Sequence, residues 1–440
     1  MRAAARFLPA GLLLLLLAGP TLAQYPGRSP TPEAGLPAAP PETAPPGAET
    51  RPSGPTLRLG ALLPLSGAGA WFGKEMRRGM ELAIDDLNRA GRPAASGDRA
   101  EATPDEQEKP AAPEPAGEKA GGDSGVGLAL EAADVPPLDV KRAADEFKRL
   151  AALGVPVVFT ASVTPTLTIQ PLAAARDVLV VHAGVVTGRL PAASRTLLHT
   201  RPSVAARVEA LLDHAAEQKL RRLALLAAGD EFGKAVRAAA SARGRAGGGS
   251  LVLEESLSLD APDLPARIRR LGRLAPETVV LGFRGADLGD LAARLREGGY
   301  AGPLYLLDDD PAVRLAGGPA LDGAVVVSDA FVPEAGSPGE RFADAYKKRF
   351  GDAPSRHAAR AYDAVLMVAA GIMAAAAEGR GTPGGARLRD ALLAARSFPS
   401  VFGGRVVFRD DGSLARPLAL FTVEAGKLAF VRYLPPPGPS

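Results

Sequence analysis

The sequence predicts an α/β protein made of two lobes, each a parallel sheet with helices on both faces. Three observations lead there. Short apolar runs alternate with stretches of helical period from residue 57 to about residue 327, as expected of successive βα units. The units are too many for one comfortable sheet in a 440-residue chain, and two lobes are the natural solution. The last third, from residue 339, breaks the alternation into three helices followed by strands with tight turns.

At the N-terminus, Arg2 and Arg6 precede the apolar run 12–17, then Gly19-Pro20 and a small-residue site ending at Ala23. This is the pattern of a secretory signal peptide over residues 1–23, with cleavage after Ala23 expected and an uncleaved anchor as the alternative. The chain has no cysteine, hence no disulfide and no lipid-bearing thiol at that site. Residues 24–56 are rich in Pro, Ala, Gly, Glu and Thr and carry almost no apolar bulk. They read as a disordered tether.

The organising stretch is 57–91. Leu57, Leu59, Leu62 and Leu63 form a strand that Pro64 and Ser66-Gly67 end, and Met76, Met80, Ala83, Ile84 and Leu87 then recur at helical spacing. In open α/β sheets ligands sit beyond the carboxyl ends of strands, so the loop 66–73 is the first place to look for a site. Residues 93–125, acidic and rich in Pro and Gly, read as a surface insertion.

The rhythm then resumes. Strands are expected at 126–132, 155–159, 178–181, 223–226, 251–253, 278–281, 304–307 and 324–327. Helices fall between them at 138–153, 165–175, 204–218, 231–245, 264–274 and 287–297. Three further helices follow at 339–350, 356–378 and 384–395, then strands at 405–408, 418–423 and 428–432, and a frayed tail at 434–440.

The net charge of +3 and the pI near 9.1 come without any basic stripe interleaved with aromatics, so no nucleic-acid partner is expected. Gly67 to Gly73-Lys74 resembles a phosphate loop, but five residues separate the glycines and Glu75 stands where a hydroxyl should hold magnesium. Residues 379–384 fit a dinucleotide pattern by letter, yet follow a helix and contain Pro383. The four histidines, His182, His199, His214 and His357, have no metal-ligand spacing. His182 ends a strand, where it either faces a cleft or is a satisfied strand-end histidine. The run 308–310 is three aspartates, read as an acidic turn rather than a cation site. No nucleophile elbow and no thiol is present. The reading therefore names no catalytic residue, no metal and no cofactor, and favours a binding protein over an enzyme.

Several of these segments together resemble one family. The opening RLGALLPLSGAGAWFGKEMRRGMELAIDDLNRAG is similar to the start of periplasmic binding proteins of the leucine/isoleucine/valine type. DVKRAADEFKRLAALGVPVVFTASVT, the helix AYDAVLMVA and the closing GGRVVFRDDGSLARPLALFTVEAGKLAFV are similar too, in the same order. The resemblance implies a type I periplasmic binding fold: two doubly wound lobes joined by three hinge crossovers, near 199–202, 327–330 and 398–404. Lobe 1 would combine 57–199 with 330–398, and lobe 2 would combine 203–327 with 404–433. It also implies a periplasmic, non-enzymatic solute-binding component of an ABC uptake system. Its partners would be a small polar ligand, an amino acid or analogue, and a membrane permease. The alternative is an envelope scaffold of the same fold, such as an activator of penicillin-binding proteins.

Residue by residue, the resemblance places ligand contacts at Ser66, Gly67 and Phe72, with Trp71 beside them, and at Ser162, Val163 and Thr164. A third loop runs from His182 through Val185 and Val186 to Thr187. On lobe 2, Phe232 lies where an aromatic is usual, Arg284 near a frequent tyrosine and Asp308 near a frequent acid. Val185, Val186 and Arg284 depart from the family pattern, and Phe232 lacks a phenolic hydroxyl. These departures suggest a ligand other than a standard branched-chain amino acid, with extra negative charge or bulk. For Arg284 the alternative is a lobe-surface salt bridge.

Overall fold

A computed structural model describes residues 56–67, 69–90, 127–184, 190, 194–245, 250–307, 309, 311–377, 382–409 and 414–436. The expected signal peptide, nearly all of the tether, the insertion and the last four residues lie outside them.

The first sheet has the order β2-β1-β3-β4-β5 and is parallel throughout. Its strands are β1 (Thr56–Leu63), β2 (Gly127–Asp134), β3 (Val157–Thr160), β4 (Leu179–His182) and β5 (Leu197–His199). Helices α1 (Ala70–Ala90), α2 (Val140–Ala152) and α3 (Val163–Arg176) connect the first four. The strands read as unbroken apolar runs because both faces are covered. Leu59, Ala61 and Leu63 of β1 pack in one core and Leu62 in another; Val157 and Phe159 of β3 divide from Val158 in the same way.

The chain next builds α4 (Val204–Glu217), β6 (Arg222–Ala228), α5 (Glu231–Arg245), β7 (Ser250–Leu257), α6 (Leu264–Leu274) and β8 (Thr278–Gly282). Then come α7 (Gly285–Glu297), β9 (Leu304–Leu306), α8 (Pro311–Gly317) and β10 (Val325–Ser328). After α9 (Pro338–Phe350), α10 (Arg356–Ala377) and α11 (Gly385–Ala395) come β11 (Ser397–Pro399), β12 (Arg405–Phe408) and β13 (Leu414–Ala415). The hairpin β14 (Leu418–Glu424) and β15 (Lys427–Leu434) closes the fold. The second sheet has the order β15-β14-β10-β9-β8-β6-β7, with β14 and β15 antiparallel at one edge. Here too Ala224 and Leu226 face one core while Leu223 and Leu225 face the other.

The late helices return to the first lobe. Met76, Met80, Ala83 and Ile84 of α1 share a core with Ala361, Ala364, Val365 and Val368 of α10. The two helices meet backbone to backbone at Gly79, where a Cβ would lie 2.1 Å from the Ala358 carbonyl oxygen. Glu75 of α1 is buried there and accepts from the Tyr346 hydroxyl at 2.9 Å and the Ser355 N–H at 3.2 Å.

The chain crosses between lobes three times: between β5 and α4, between β10 and α9, and at Arg416-Pro417 between β13 and β14. The last position corrects the expectation of a crossover at 398–404 with residues from 404 onward in lobe 2. Val406, Phe408 and Leu414 pack in the same core as Leu59 and Val365, so the small antiparallel sheet β11-β12-β13 belongs to lobe 1. Its apolar residues are too few to form a core alone and bury against the nearest existing one. The short elements β5, α8, β11 and β13 were not expected from the sequence. At two to seven residues they are too brief to show a period.

Candidate ligand-binding cleft

Because β1, β3 and β4 are parallel neighbours, the loops that follow them share one edge of the first sheet. Ser66 and Gly67 are exposed there. Asp134, at the end of β2, accepts the N–H of Leu65 at 2.8 Å and of Ser66 at 3.1 Å, and it also receives the Ser66 hydroxyl. Partial burial pushes the Asp134 carboxyl up, but these bonds hold it below its usual range. The Ser66 hydroxyl thus positions the loop.

Trp71 and Phe72 open α1, and both rings meet His357 at the start of α10, with centroids 5.6 and 5.5 Å away. Trp71 is 57% exposed. Burial, followed by the charges of Arg360, Arg356 and Arg201, pushes His357 down to about 3, so its ring is neutral at physiological pH.

Ser162 is the N-cap of α3, with Val163 and Thr164 in its first turn, all three half-buried. Ser162 makes no side-chain cap bond, and its carbonyl accepts the Thr166 N–H at 3.2 Å. His182 is fully buried, with its Nδ1 at 3.0 Å from the Thr166 hydroxyl and 3.2 Å from that of Thr160, and its ring edge-on to His199. Of the two readings, this is the satisfied strand-end histidine, and its expected place as a ligand contact is corrected accordingly. Val185, Val186 and Thr187 lie outside the described residues, as does Asp308.

On the second sheet β6, β8 and β9 are adjacent and parallel, which brings the loops after them to one edge as well. Phe232, buried at the start of α5, has the Arg284 guanidinium over its ring at 4.9 Å and that of Arg207 at 5.8 Å. Arg284 also pairs with Asp230 at 3.3 Å, both groups about half exposed. Arg207 donates to the Leu307 carbonyl at 3.0 Å. Asp309, two residues on, accepts the Ser328 hydroxyl at 2.7 Å and pairs with Arg356 of α10 at 2.9 Å. That last bond joins the two edges, since Arg356 precedes His357 on the wall that carries Trp71 and Phe72.

Behind this edge the crossovers are fastened to α10. Arg201 from the first crossover and Arg360 of α10 each reach Asp329 of the second at 2.7 Å. Burial would raise the Asp329 carboxyl, yet Arg360 and Arg201 hold it well below its usual range. Arg416 of the third crossover lies 3.4 Å from Asp363 of α10, which also receives the Ser400 hydroxyl at 2.7 Å. Burial pushes Asp363 up in spite of Arg416.

Of the expected residues, Ser66, Gly67, Trp71, Phe72, Ser162, Val163 and Thr164 lie on the edge of lobe 1, and Phe232 and Arg284 on that of lobe 2. Arg284 also makes the surface salt bridge that was its alternative. Sequence reading did not place Asp134, Arg207, Asp309, Arg356 or His357 in the cleft. The periodicity of α10 could have flagged the last two, since its apolar pattern begins at Ala358 and leaves them at the helix mouth. A cavity of about 260 Å³ lies elsewhere, among Asp86, Phe342, Tyr362, Leu366 and Ser400, and shares no residue with this cleft. Among the described residues no cluster of acids and histidines suits a metal ion.

A two-lobed α/β molecule with facing loop edges and three crossovers has the architecture of a type I periplasmic binding protein. Residues 56–427 match the family model described as periplasmic binding protein, and the chain belongs to that family. No curated protein matches it. Among solved structures it is similar to a Rhodospirillum rubrum protein described as a branched-chain amino acid ABC transporter. The identity is 21% and the TM-score 0.68, covering 86% of this chain and all of that one. A Desulfitobacterium hafniense ABC transporter substrate-binding protein in complex with Leu is similar at 17% identity and TM-score 0.62, covering 86% of this chain and all of that one. A solute-binding protein from R. palustris in complex with benzoate is similar at 16% identity and TM-score 0.53, covering 88% of this chain and 98% of that one.

Proposed function

We propose that this chain is the solute-binding component of an ABC-type uptake system, working in the periplasm without catalysis. It would hold an amino acid or a related small polar ligand between its lobes and present the closed form to a membrane permease. The observation that carries this reading is the family match spanning both lobes, combined with two loop edges that face one another across the Arg356–Asp309 pair. Similar folds have been solved with leucine and with benzoate bound. Ser66, Gly67, Trp71, Phe72, Ser162, Val163, Thr164, Phe232 and Arg284 are the contacts proposed here. The ligand would favour the closed state by binding it more tightly than the open one.

Trp71 is the only tryptophan in the chain and stands on the cleft edge, so its emission reports occupancy directly. A library of amino acids, amides, small acids and sugars, screened by Trp71 fluorescence and thermal shift, should give one saturable class. At a hundred times its Kd that ligand should stabilise the fold by about 2.7 kcal/mol. A flat response from folded protein across the whole library would sink the proposal and favour an envelope scaffold.

A further inference from the structure

We infer that the ligand is an organic carboxylate that carries no ammonium group, with its acid received by Arg284 beside Phe232 and its body by the rings of Trp71, Phe72 and His357. The inference rests on the solute-binding reading and narrows it, because a free amino acid needs both an anion site and a cation site.

The anion site is on lobe 2. The Arg284 side chain is 56% exposed and its pair with Asp230, itself 49% exposed, is held at 3.3 Å in contact with solvent. Such a pair contributes little and exchanges readily for another carboxylate. The guanidinium stands 4.9 Å from the Phe232 ring centroid, and once it exchanges Asp230 for a ligand its planar fork can receive an acid in two parallel bonds.

Four described carboxylates around the cleft are already engaged. Asp134 receives two N–H groups and the Ser66 hydroxyl. Asp230 receives the Gly233 N–H and Arg284. Asp309 receives Ser328 and Arg356. Asp329, only 3% exposed, is held by Arg201 and Arg360. An ammonium at any of these four would have to displace a partner, and for Asp309 or Asp329 that means leaving a guanidinium poorly compensated. The potential at the opposite wall acts the same way. After burial, the charges of Arg360, Arg356 and Arg201 keep the His357 ring from taking a proton, against the pull of Asp329. A cation brought to that ring meets the same repulsion. What the wall does offer is the His357 ring in contact with both Trp71 and Phe72, with Trp71 57% exposed, which suits an apolar or planar body.

Matched pairs test this on the full chain. Trp71 fluorescence and calorimetry would compare leucine with 4-methylpentanoate, phenylalanine with 3-phenylpropanoate, and benzoate with benzamide. The expected result is at least tenfold tighter binding of each acid than of its amino-acid or amide counterpart. Arg284→Gln should weaken the acids at least tenfold, Arg284→Lys should restore part of the loss, and neither should change the melting temperature of the ligand-free protein. Leucine or phenylalanine binding as tightly as its ammonium-free counterpart would overturn the inference and leave the solute-binding reading standing. That holds all the more if Asp308→Asn, at the acid expected from the family resemblance, abolished the amino-acid binding. Unchanged acid binding in Arg284→Gln would equally overturn it. No response to any acid, amino acid, amide or sugar from folded protein would remove the solute-binding reading and the inference with it.

Discussion

Asp329 holds two guanidinium groups inside the protein. With Asn at that position, Arg360 would stay buried against a neutral amide while Arg201 and Arg356 remain close by. Breaking a buried pair from one side costs about 3–5 kcal/mol. Asp329→Asn should therefore lower the stability read by urea denaturation by that amount. The same neighbourhood sets a pH dependence. His357 is depressed to about 3 in the folded protein, whereas an unfolded histidine titrates near 6.5. Between those values the unfolded chain binds the extra proton, so stability falls as the pH falls, with a limiting slope of about 1.4 kcal/mol per pH unit. Asp329 acts in the same direction: its depressed carboxyl stabilises the fold above the unfolded carboxyl range and ceases to as the pH drops through its folded value. His357→Gln should flatten the stability curve between about pH 6.5 and pH 3, leaving the steeper acid limb of the carboxylates. A wild-type and a variant curve of equal slope there would refute the assignment. None of this could be read from the sequence, because residues 201, 329, 357 and 360 meet only once the three crossovers converge on one helix.

At the scale of elements, α1 and α10 decide whether the first and last thirds of the chain join. Gly79 lets them touch, and any side chain there would drive into the Ala358 carbonyl. Overpacking typically costs 1–3 kcal/mol, and a backbone obstacle leaves less room to adjust than a side chain would. Gly79→Val is expected to cost at least about 2 kcal/mol in chemical denaturation, and to broaden the transition as α10 loosens from lobe 1. The helices themselves were legible: Met76, Met80, Ala83 and Ile84 mark the inner face of α1, and all four are buried. Its glycine could be counted but not interpreted, since the helix it faces lies almost three hundred residues further on. Short strands were lost for the opposite reason. β5 pairs with β4 over three residues, Leu197, Leu198 and His199, and its identity comes from a neighbour.

For the whole molecule, the ion pair between Arg356 and Asp309 spans the lobes at 2.9 Å. It holds the facing edges together in the arrangement described here. Removing it should shift the ligand-free protein toward greater lobe separation, seen as a larger radius of gyration in solution scattering of Arg356→Gln or Asp309→Asn. In a double-mutant cycle the two changes should couple by about 0.5–3 kcal/mol. Independent, additive effects would mean that the pair does not tie the lobes.

The sequence alone determined the class of this protein. Short apolar runs, 3.6-residue periodicity and the order of the βα units are local properties of the chain, and they were enough to predict two parallel-sheet lobes. They also located the loop 66–73 after the first strand, whereas Phe232 and Arg284 were placed by the family resemblance. The tertiary structure decided what those loops do. It tied the Ser66 hydroxyl to Asp134, buried His182, moved β12 and β13 into lobe 1 and brought Arg356 and His357 to the cleft. Burial and charge pairing depend on which distant residues share a site, and chain connectivity does not encode that proximity locally.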